Sequence, residues 1–352
     1  MKQVALSLLI GLWVLGACSQ MRWIGVETYQ PAMITFPSDV KTVMVVNNSA
    51  QQPDRIGHRM IIDAGQDSII SVSLDSVAYK FCVSLGKNIA NSTVFDDVRM
   101  CEDTLRTDSI FYDIRVLTPE QVSNMCHDYG VDALISLDYL LVISEIYQWR
   151  FVGSNANKAF MSKLDGELRT FWPGQKEALA IPFTDSIFRG LADFAYYDGT
   201  NDDEVVVELD IPWTIQFMTE YMSEKMARNF VPYWNREGRW FYTSVASDWK
   251  QGVAFAAKEQ WENAFKIWEP MYDNRLKWKR KARLAANLAL CYEMTGRFEK
   301  AIEYAEIAYT LMKEHTKDEN NNLLKLQKGY VDVLKNRLET EVVLSKQLRE
   351  ND

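Results

Sequence analysis

Three histidines, five cysteines and 48 acidic residues are the raw material for acid–base, thiol or metal chemistry in this 352-residue chain. His58, His127 and His315 are scattered along it. None belongs to a His-Glu-x-x-His pattern, whose imidazoles would share one helical face around zinc, and no cysteine pair has structural-zinc spacing. His127 follows Cys126, but adjacent helical positions do not share a face, so the two do not form an activated thiol. Ser71, Ser73, Ser76 and Ser84 lack a nucleophile elbow. Gly190 and Gly199 lack the glycine-rich strand–loop–helix setting of a phosphate cradle. Asp132 and Asp138 share strand parity, but six extended residues would hold them about 20 Å apart. A retaining glycosidase pair needs about 5–5.5 Å. Asp198, Asp202 and Asp203 crowd a polar turn whose spacing misses the helix-flanked calcium loop. An acidic dyad assembled across distant loops would leave no trace in the sequence. Position by position, the expectation is no catalytic residue, no metal ligand and no cofactor.

One residue does carry a chemical signal. Met1-Lys2 is a short positive start, Val4 to Leu15 is almost unbroken apolar sequence, and Leu15-Gly16-Ala17 places small residues before Cys18. That order reads as a signal peptide, too short for a good spanning helix. Cleavage before Cys18 would leave its thiol on the first residue. Leu-Gly-Ala-Cys resembles the lipobox of bacterial lipoproteins, and the resemblance implies a diacylglyceryl thioether on Cys18 and an acylated amine. Several acyl chains, at about 0.8 kcal/mol per buried methylene, make a stable anchor. Ser19-Gln20-Met21-Arg22 lacks the acidic run that resembles a Bacteroidota surface-export signal. The expected location is therefore the periplasmic side of the outer membrane.

The balance of 39 basic against 48 acidic residues gives a formal charge of −9, which opposes nonspecific nucleic-acid binding. No later run is long and apolar enough to cross a bilayer, leaving lipid as the membrane partner. Cys82, Cys101, Cys126 and Cys291 show no dense disulfide spacing. Buried thiols are expected, with Cys101 and Cys126 the pair to check for a bridge.

The elements that would position any site fall into two kinds. Trp23 to Tyr29 alternates as a strand, Met33 to Phe36 could extend it, and Lys41 to Val46 reads as an interior strand of a mixed sheet. Leu74, Val77, Ala78, Phe81, Leu85 and Ile89 give one buried face of a helix over about 73–90. Val94 to Arg99 returns as a strand. Thr118-Pro119-Glu120-Gln121 is a capped helix start, with Gly130 at the helix end and a long strand over 131–145. Further strands are expected over 167–171, 178–183, 191–197 and 204–210. The fold class is α+β or α/β: a signal peptide (1–17), a tether (18–22) and a mixed-sheet domain (23–212), followed by a helical end. A helix and aromatic connector (213–247) would join them. Tyr233, Trp234, Arg236, Arg239 and Trp240 in that connector could take an anion or sugar, but ring and Arg-stem packing between the domains is favoured.

The helical end has a recognisable seam. Leu288, Ala289 and Tyr292, then Gly296, then Phe298, Ala301, Ala305 and Ala308 resemble a tetratricopeptide repeat, in which small residues let two helices approach around a glycine turn. A weaker copy has Gly252 and Phe255 in its first helix and Trp261, Ala264 and Trp268 in its second, with Glu259 where the turn glycine would stand. The resemblance implies tetratricopeptide-like hairpins over 248–315 and capping helices over 316–352. The mature chain also looks like a family of Bacteroidota lipoproteins of unknown function. The residues carrying this are Cys18, Tyr29-Gln30-Pro31-Ala32, Val43 to Asn48, Tyr233-Trp234 with Arg239 to Tyr242, and Trp261 to Trp268. That resemblance implies a cell-envelope protein without catalytic residues to carry over. The expected function is a lipid-anchored scaffold binding an envelope protein or peptide through the helical end. The alternative is an envelope hydrolase or carbohydrate-binding protein with its site in the α/β part.

Overall fold

A computed structural model describes residues 21–62, 66–106, 108, 110–150, 156–175, 177–190, 211–273, 275–316, 318 and 320–348. Cys18 and its signal peptide lie outside these residues, as do the strands and acidic turn expected across 191–210. The described chain divides into two units: Ala32–Pro232, a mixed α/β sheet unit, and a helical unit of residues 21–31 with Tyr233–Lys346.

In the α/β unit, β2 (Thr42–Asn47) is interior because its side chains serve both faces. Val43 and Val45 pack against Phe81, Cys82, Leu85 and Ile89 of α1 (Val77–Ala90), while Met44 and Val46 pack against Val122 and Cys126 of α2 (Pro119–Tyr129). A strand buried on both faces is apolar along its middle, and Val43 to Val46 of this one are. β5 (Asp97–Thr104) lies parallel on one side of β2, and the first half of β6 (Ala133–Arg150) lies parallel on the other. The second half of β6 pairs with β3 (His58–Ile62), which carries β4 (Gln66–Ile69) antiparallel on its outer edge. β7 (Ala156–Phe171) and β8 (Leu179–Gly190) extend the sheet antiparallel from the opposite edge of β6.

β2 and β3 thus occupy one edge of β6 end to end, leaving a gap between them. Gln52 fills it: Val142 N donates to its Oε1 at 2.7 Å, and its Nε2 donates to Val142 O at 2.8 Å. A side-chain amide stands in for a missing strand where unpaired backbone groups would be costly. α2 starts as the sequence implies, with Thr118 and Gln121 closing a capping box and Gly130 at φ 60 ending the helix. α3 (Ile211–Ala227) lays Ile215, Met218 and Met222 on the α1 side of the sheet, and Ser223 Oγ donates to Ser84 Oγ at 2.6 Å.

The helical unit opens with strand β1 (Met21–Gln30), paired antiparallel along its whole length with β9 (Tyr233–Tyr242). α4 (Ser247–Ala256) and α5 (Trp261–Trp268) form one helical pair, α6 (Trp278–Glu293) and α7 (Phe298–His315) a second, and α8 (Asn322–Leu348) follows. Gly296 takes φ +72 at the second turn, and Glu259 takes φ +59 at the first. Gly252 lets Trp268 press against α4: a Cβ at this position would overlap the Trp268 indole ring, so only glycine leaves the ring its place.

Four sequence expectations change. Met33 to Phe36 is not a strand. The stretch 213–247 is not a connector: α3 belongs to the α/β unit, and β9 is a strand of the helical unit. β1 leaves the α/β domain for the same reason, because among the described residues its ladder partner is β9 alone. One long helix, α8, stands where capping helices were expected.

Candidate functional site

The charged and aromatic residues of β9 meet the helices of their own unit. Arg239 is 4% exposed, and Glu293 at the end of α6 is 1% exposed. Arg239 Nε donates to the two Glu293 oxygens at 3.0 and 3.1 Å, and Nη2 donates to Oε1 at 2.8 Å. From α8, Arg337 Nη1 donates to Glu293 Oε1 at 2.6 Å, and the Tyr330 hydroxyl donates to Glu293 Oε2 at 2.7 Å. Glu237 accepts from Arg239 Nη2 at 2.7 Å. Burial alone would push the Glu293 carboxyl up, but the hydrogen bonds and charge of Arg239, with Arg337 and Tyr330, hold it below the usual range. A buried carboxylate with this many donors is a structural tie, because every lone pair that a ligand would need is occupied.

Trp240 is 9% exposed and packs between Trp23 at 5.4 Å and Tyr330 at 5.3 Å. Tyr233 is half-buried and Arg236 is exposed, opposite Glu27 in the ladder. Trp234 remains open at 64% exposure, leaning on Tyr29 at 4.9 Å. The five residues therefore do not form one site: Arg239 and Trp240 point inward, and Trp234 and Arg236 lie on the open side of the ribbon.

β9 also closes one face of α6. Tyr242 N donates to Asn287 Oδ1 at 2.7 Å, Asn287 Nδ2 donates to Tyr242 O at 2.9 Å, and Trp249 Nε1 reaches the same carbonyl at 2.7 Å. The unit holds its own strand where a helical pair could otherwise hold an extended peptide. Leu288, Ala289, Ala301, Ala305 and Ala308 are fully buried, and Tyr292 and Phe298 nearly so, in the seam between α6 and α7.

The outer side of α7 is different. A groove of about 510 Å³ runs along it, with half-buried Ile302, Ile307 and Leu311 as its floor. Glu299, Glu303, Glu306 and Glu314 stand around it, with Lys281 the cation in its lining. Glu303 meets Lys300 and Glu306 meets Lys335, each at 2.7 Å and each exposed. Exposed pairs of this kind contribute about 0–1 kcal/mol and exchange readily for a partner's cation. The sequence reading missed this groove, because Ile302, Ile307 and Leu311 do not recur at the spacing of one helical face.

In the α/β unit, Asp132 accepts from Lys41 N, Thr42 N and Thr42 Oγ1, so it ties down the start of β2. Asp138 is buried at a bulge of β6 and accepts from Asn48, Ser136 and Arg169. Burial raises the Asp138 carboxyl despite those donors. His58 is 2% exposed, and burial lowers its imidazole below the ordinary value, with Asp54 opposing. His127 is exposed beside Asp128, and His315 stacks on Trp278 at 4.5 Å. Cys82, Cys101, Cys126 and Cys291 are free and buried. Burial pushes the Cys82 and Cys291 thiols well up, which makes them inert. Among the described residues no cluster of three or more His, Cys, Asp or Glu could hold a metal ion. No described helix is long and apolar enough to cross a membrane.

No curated protein matches the chain. One similar solved structure, titled "Crystal structure of uncharacterized protein", is 12% identical and covers 57% of this chain and 99% of its own, with a TM-score of 0.25. Another, the hypothetical protein CT253 from Chlamydia trachomatis, is also 12% identical, covering 46% of this chain and 77% of its own at a TM-score of 0.21. Residues 250–336 match a family model described as a domain of unknown function, DUF6340. Residues 40–242, more than half of the chain, match the model of a domain of unknown function, DUF8603, and the chain belongs to that family.

Proposed function

We propose that this protein is a lipid-anchored cell-envelope scaffold whose helical unit takes a protein segment carrying basic and apolar side chains. The groove on α7 carries the proposal: an apolar floor of Ile302, Ile307 and Leu311 bordered by four glutamates. An amphipathic helix with apolar anchors and a Lys- or Arg-rich rim fits that chemistry. The small-residue seam of α6 and α7 supports a tetratricopeptide-like reading of the helical unit, in which Ala positions serve packing and outward residues do the recognising. The sequence at Cys18 supports the anchor, and the residues after it support the periplasmic side of the outer membrane.

Cutting the chain after Ser247 would strip β9 of α6, so substitutions in the groove are the cleaner probe. Native-envelope affinity purification should recover a reproducible protein with the wild-type chain. The double variant Glu303→Lys, Ile307→Lys should deplete it at least tenfold while circular dichroism stays unchanged. Equal recovery with both chains would remove the groove from the function. Intact-mass analysis from the native host should find lipid on Cys18, and Cys18→Ser should abolish it; lipid persisting on that variant would end the anchor reading.

A further inference from the structure

Asn47 ends β2 just after a shift in its register with β5. Its Oδ1 accepts from Ser49 N at 3.1 Å and from Ser49 Oγ at 2.7 Å. The backbone N–H can only donate, so the accepting atom is the amide oxygen and the other end is the NH₂ group. Asn47 is 6% exposed, yet nothing among the described residues accepts from its Nδ2. The Nδ2 group is therefore an open donor on an otherwise buried side chain.

That place is a crevice of about 480 Å³ lined by Asn47, the first turn of α1 and the end of β5. It lies at the carboxyl ends of parallel strands β2 and β5, whose connections lead to helices on opposite faces of the sheet. Ligands of open α/β sheets bind at such points. α1 begins there without a side-chain cap, with Ser76 at φ 60 and no acidic residue in its first turn. Val77 N reaches Leu74 O and Lys80 N reaches Ser76 O. Ala78 N and Tyr79 N, between them, donate to no described group, and both residues line the crevice. The inner wall is apolar: Ala50, Leu74, Leu140 and Val142.

We propose that this crevice binds an organic carboxylate, with its oxygens on Asn47 Nδ2 and the Ala78 and Tyr79 amides and its apolar body against Leu74, Leu140 and Val142. Three N–H donors without a described partner call for oxygen, and a helix start favours negative charge. The balance of charge selects one unit rather than two. Arg106 is bound bidentately by Asp108, so it offers no spare cation, and Glu102 also lines the crevice. A phosphate dianion would meet both acids and gain nothing from the apolar wall. A carboxylate has one charge, two oxygens and a carbon body.

The carboxylate has two sources, a free small acid or the end of a peptide, and this site is independent of the α7 groove. Isothermal titration and amide NMR of the full chain would use N-acetyl-alanine, its uncharged amide, N-acetyl-trialanine and inorganic phosphate. N-acetyl-alanine should shift the Asn47 side-chain, Ala78 and Tyr79 resonances saturably. Its amide and phosphate should bind at least tenfold more weakly. Tighter binding of the trialanine assigns a peptide terminus, and equal binding assigns a free acid. Asn47→Asp keeps the acceptor for Ser49 but replaces the donor with charge, and should weaken binding at least tenfold. Saturable shifts absent at these three groups, equal binding of the amide, or preference for phosphate would overturn the proposal. The acid-to-amide comparison on the wild-type chain stands even if the variant fails to fold.

Discussion

The helical unit buries a glutamate and surrounds it; the α/β unit buries an asparagine and leaves half of it unmet. Glu293 receives donors from Arg239, Arg337 and Tyr330, brought by a strand and a second helix. Asn47 satisfies Ser49 with its oxygen and faces a crevice with its nitrogen. Buried polar groups are normally completed. Where one is completed by its own chain, it serves architecture. Asn47 Nδ2, open beside the Ala78 and Tyr79 amides, is the donor of the proposed carboxylate site. The two proposals place recognition by the helical unit on its outer surface and binding by the α/β unit at its interior edge.

The comparison breaks first at Glu293. Glu293→Gln leaves Arg239 buried without its main counter-charge and should cost about 3–5 kcal/mol of stability in the helical unit, measured by denaturant unfolding. The sign with pH follows. The folded carboxyl lies below its unfolded value, so its stabilisation is present above the ordinary carboxylate range and is lost as pH falls through the folded value. The Gln variant should lose that acid limb, and an unchanged limb would mean that Glu293 is not the tie. Gly252→Ala comes next. Its Cβ would enter the Trp268 ring, and overpacking of this kind costs about 1–3 kcal/mol. A melting temperature equal to wild type would show that the seam has slack. In the α/β unit, Thr118→Ala removes the α2 capping box for about 1 kcal/mol, and hydrogen exchange should rise first at the start of that helix.

A smaller effect concerns His58, whose Nδ1 is buried without a partner and whose imidazole titrates below its ordinary value. Its contribution is whole above about pH 6.5 and declines as pH falls from there towards the folded value, because the unfolded chain takes up the proton first. His58→Gln should flatten stability across that interval, so a slope identical to wild type would contradict burial as the cause. Trp234→Ala, on the open side of β9, should change stability by no more than about 0.5 kcal/mol.

Local signals were legible in the sequence, and distant ones were not. Thr118, Pro119, Gln121 and Gly130 each act within one helical turn, so α2 could be read from its own residues. The Ala seam of α6 and α7 is similarly local. β9 was read as a connector because Pro232 and Gly238 punctuate it, while its partner strand lies about 200 residues away, as in the bond from Thr28 to Asn235. Nothing local separates Glu293 from the solvated glutamates after it. Asn47 follows directly on the strand that the sequence predicts over Lys41 to Val46. Its open nitrogen depends on α1 arriving beside it, which no single stretch of sequence records.

The proposed recognition by the helical unit belongs to the outer side of α7. A photoreactive residue placed in turn at Thr310, Trp234 and His127, in otherwise wild-type chains in the native envelope, tests it most directly. Thr310 lines the groove, Trp234 lies on the ribbon and His127 is exposed on α2. The account predicts one discrete crosslinked protein from Thr310 and none from the other two. The same product from Trp234 or His127, with Thr310 silent, would contradict it.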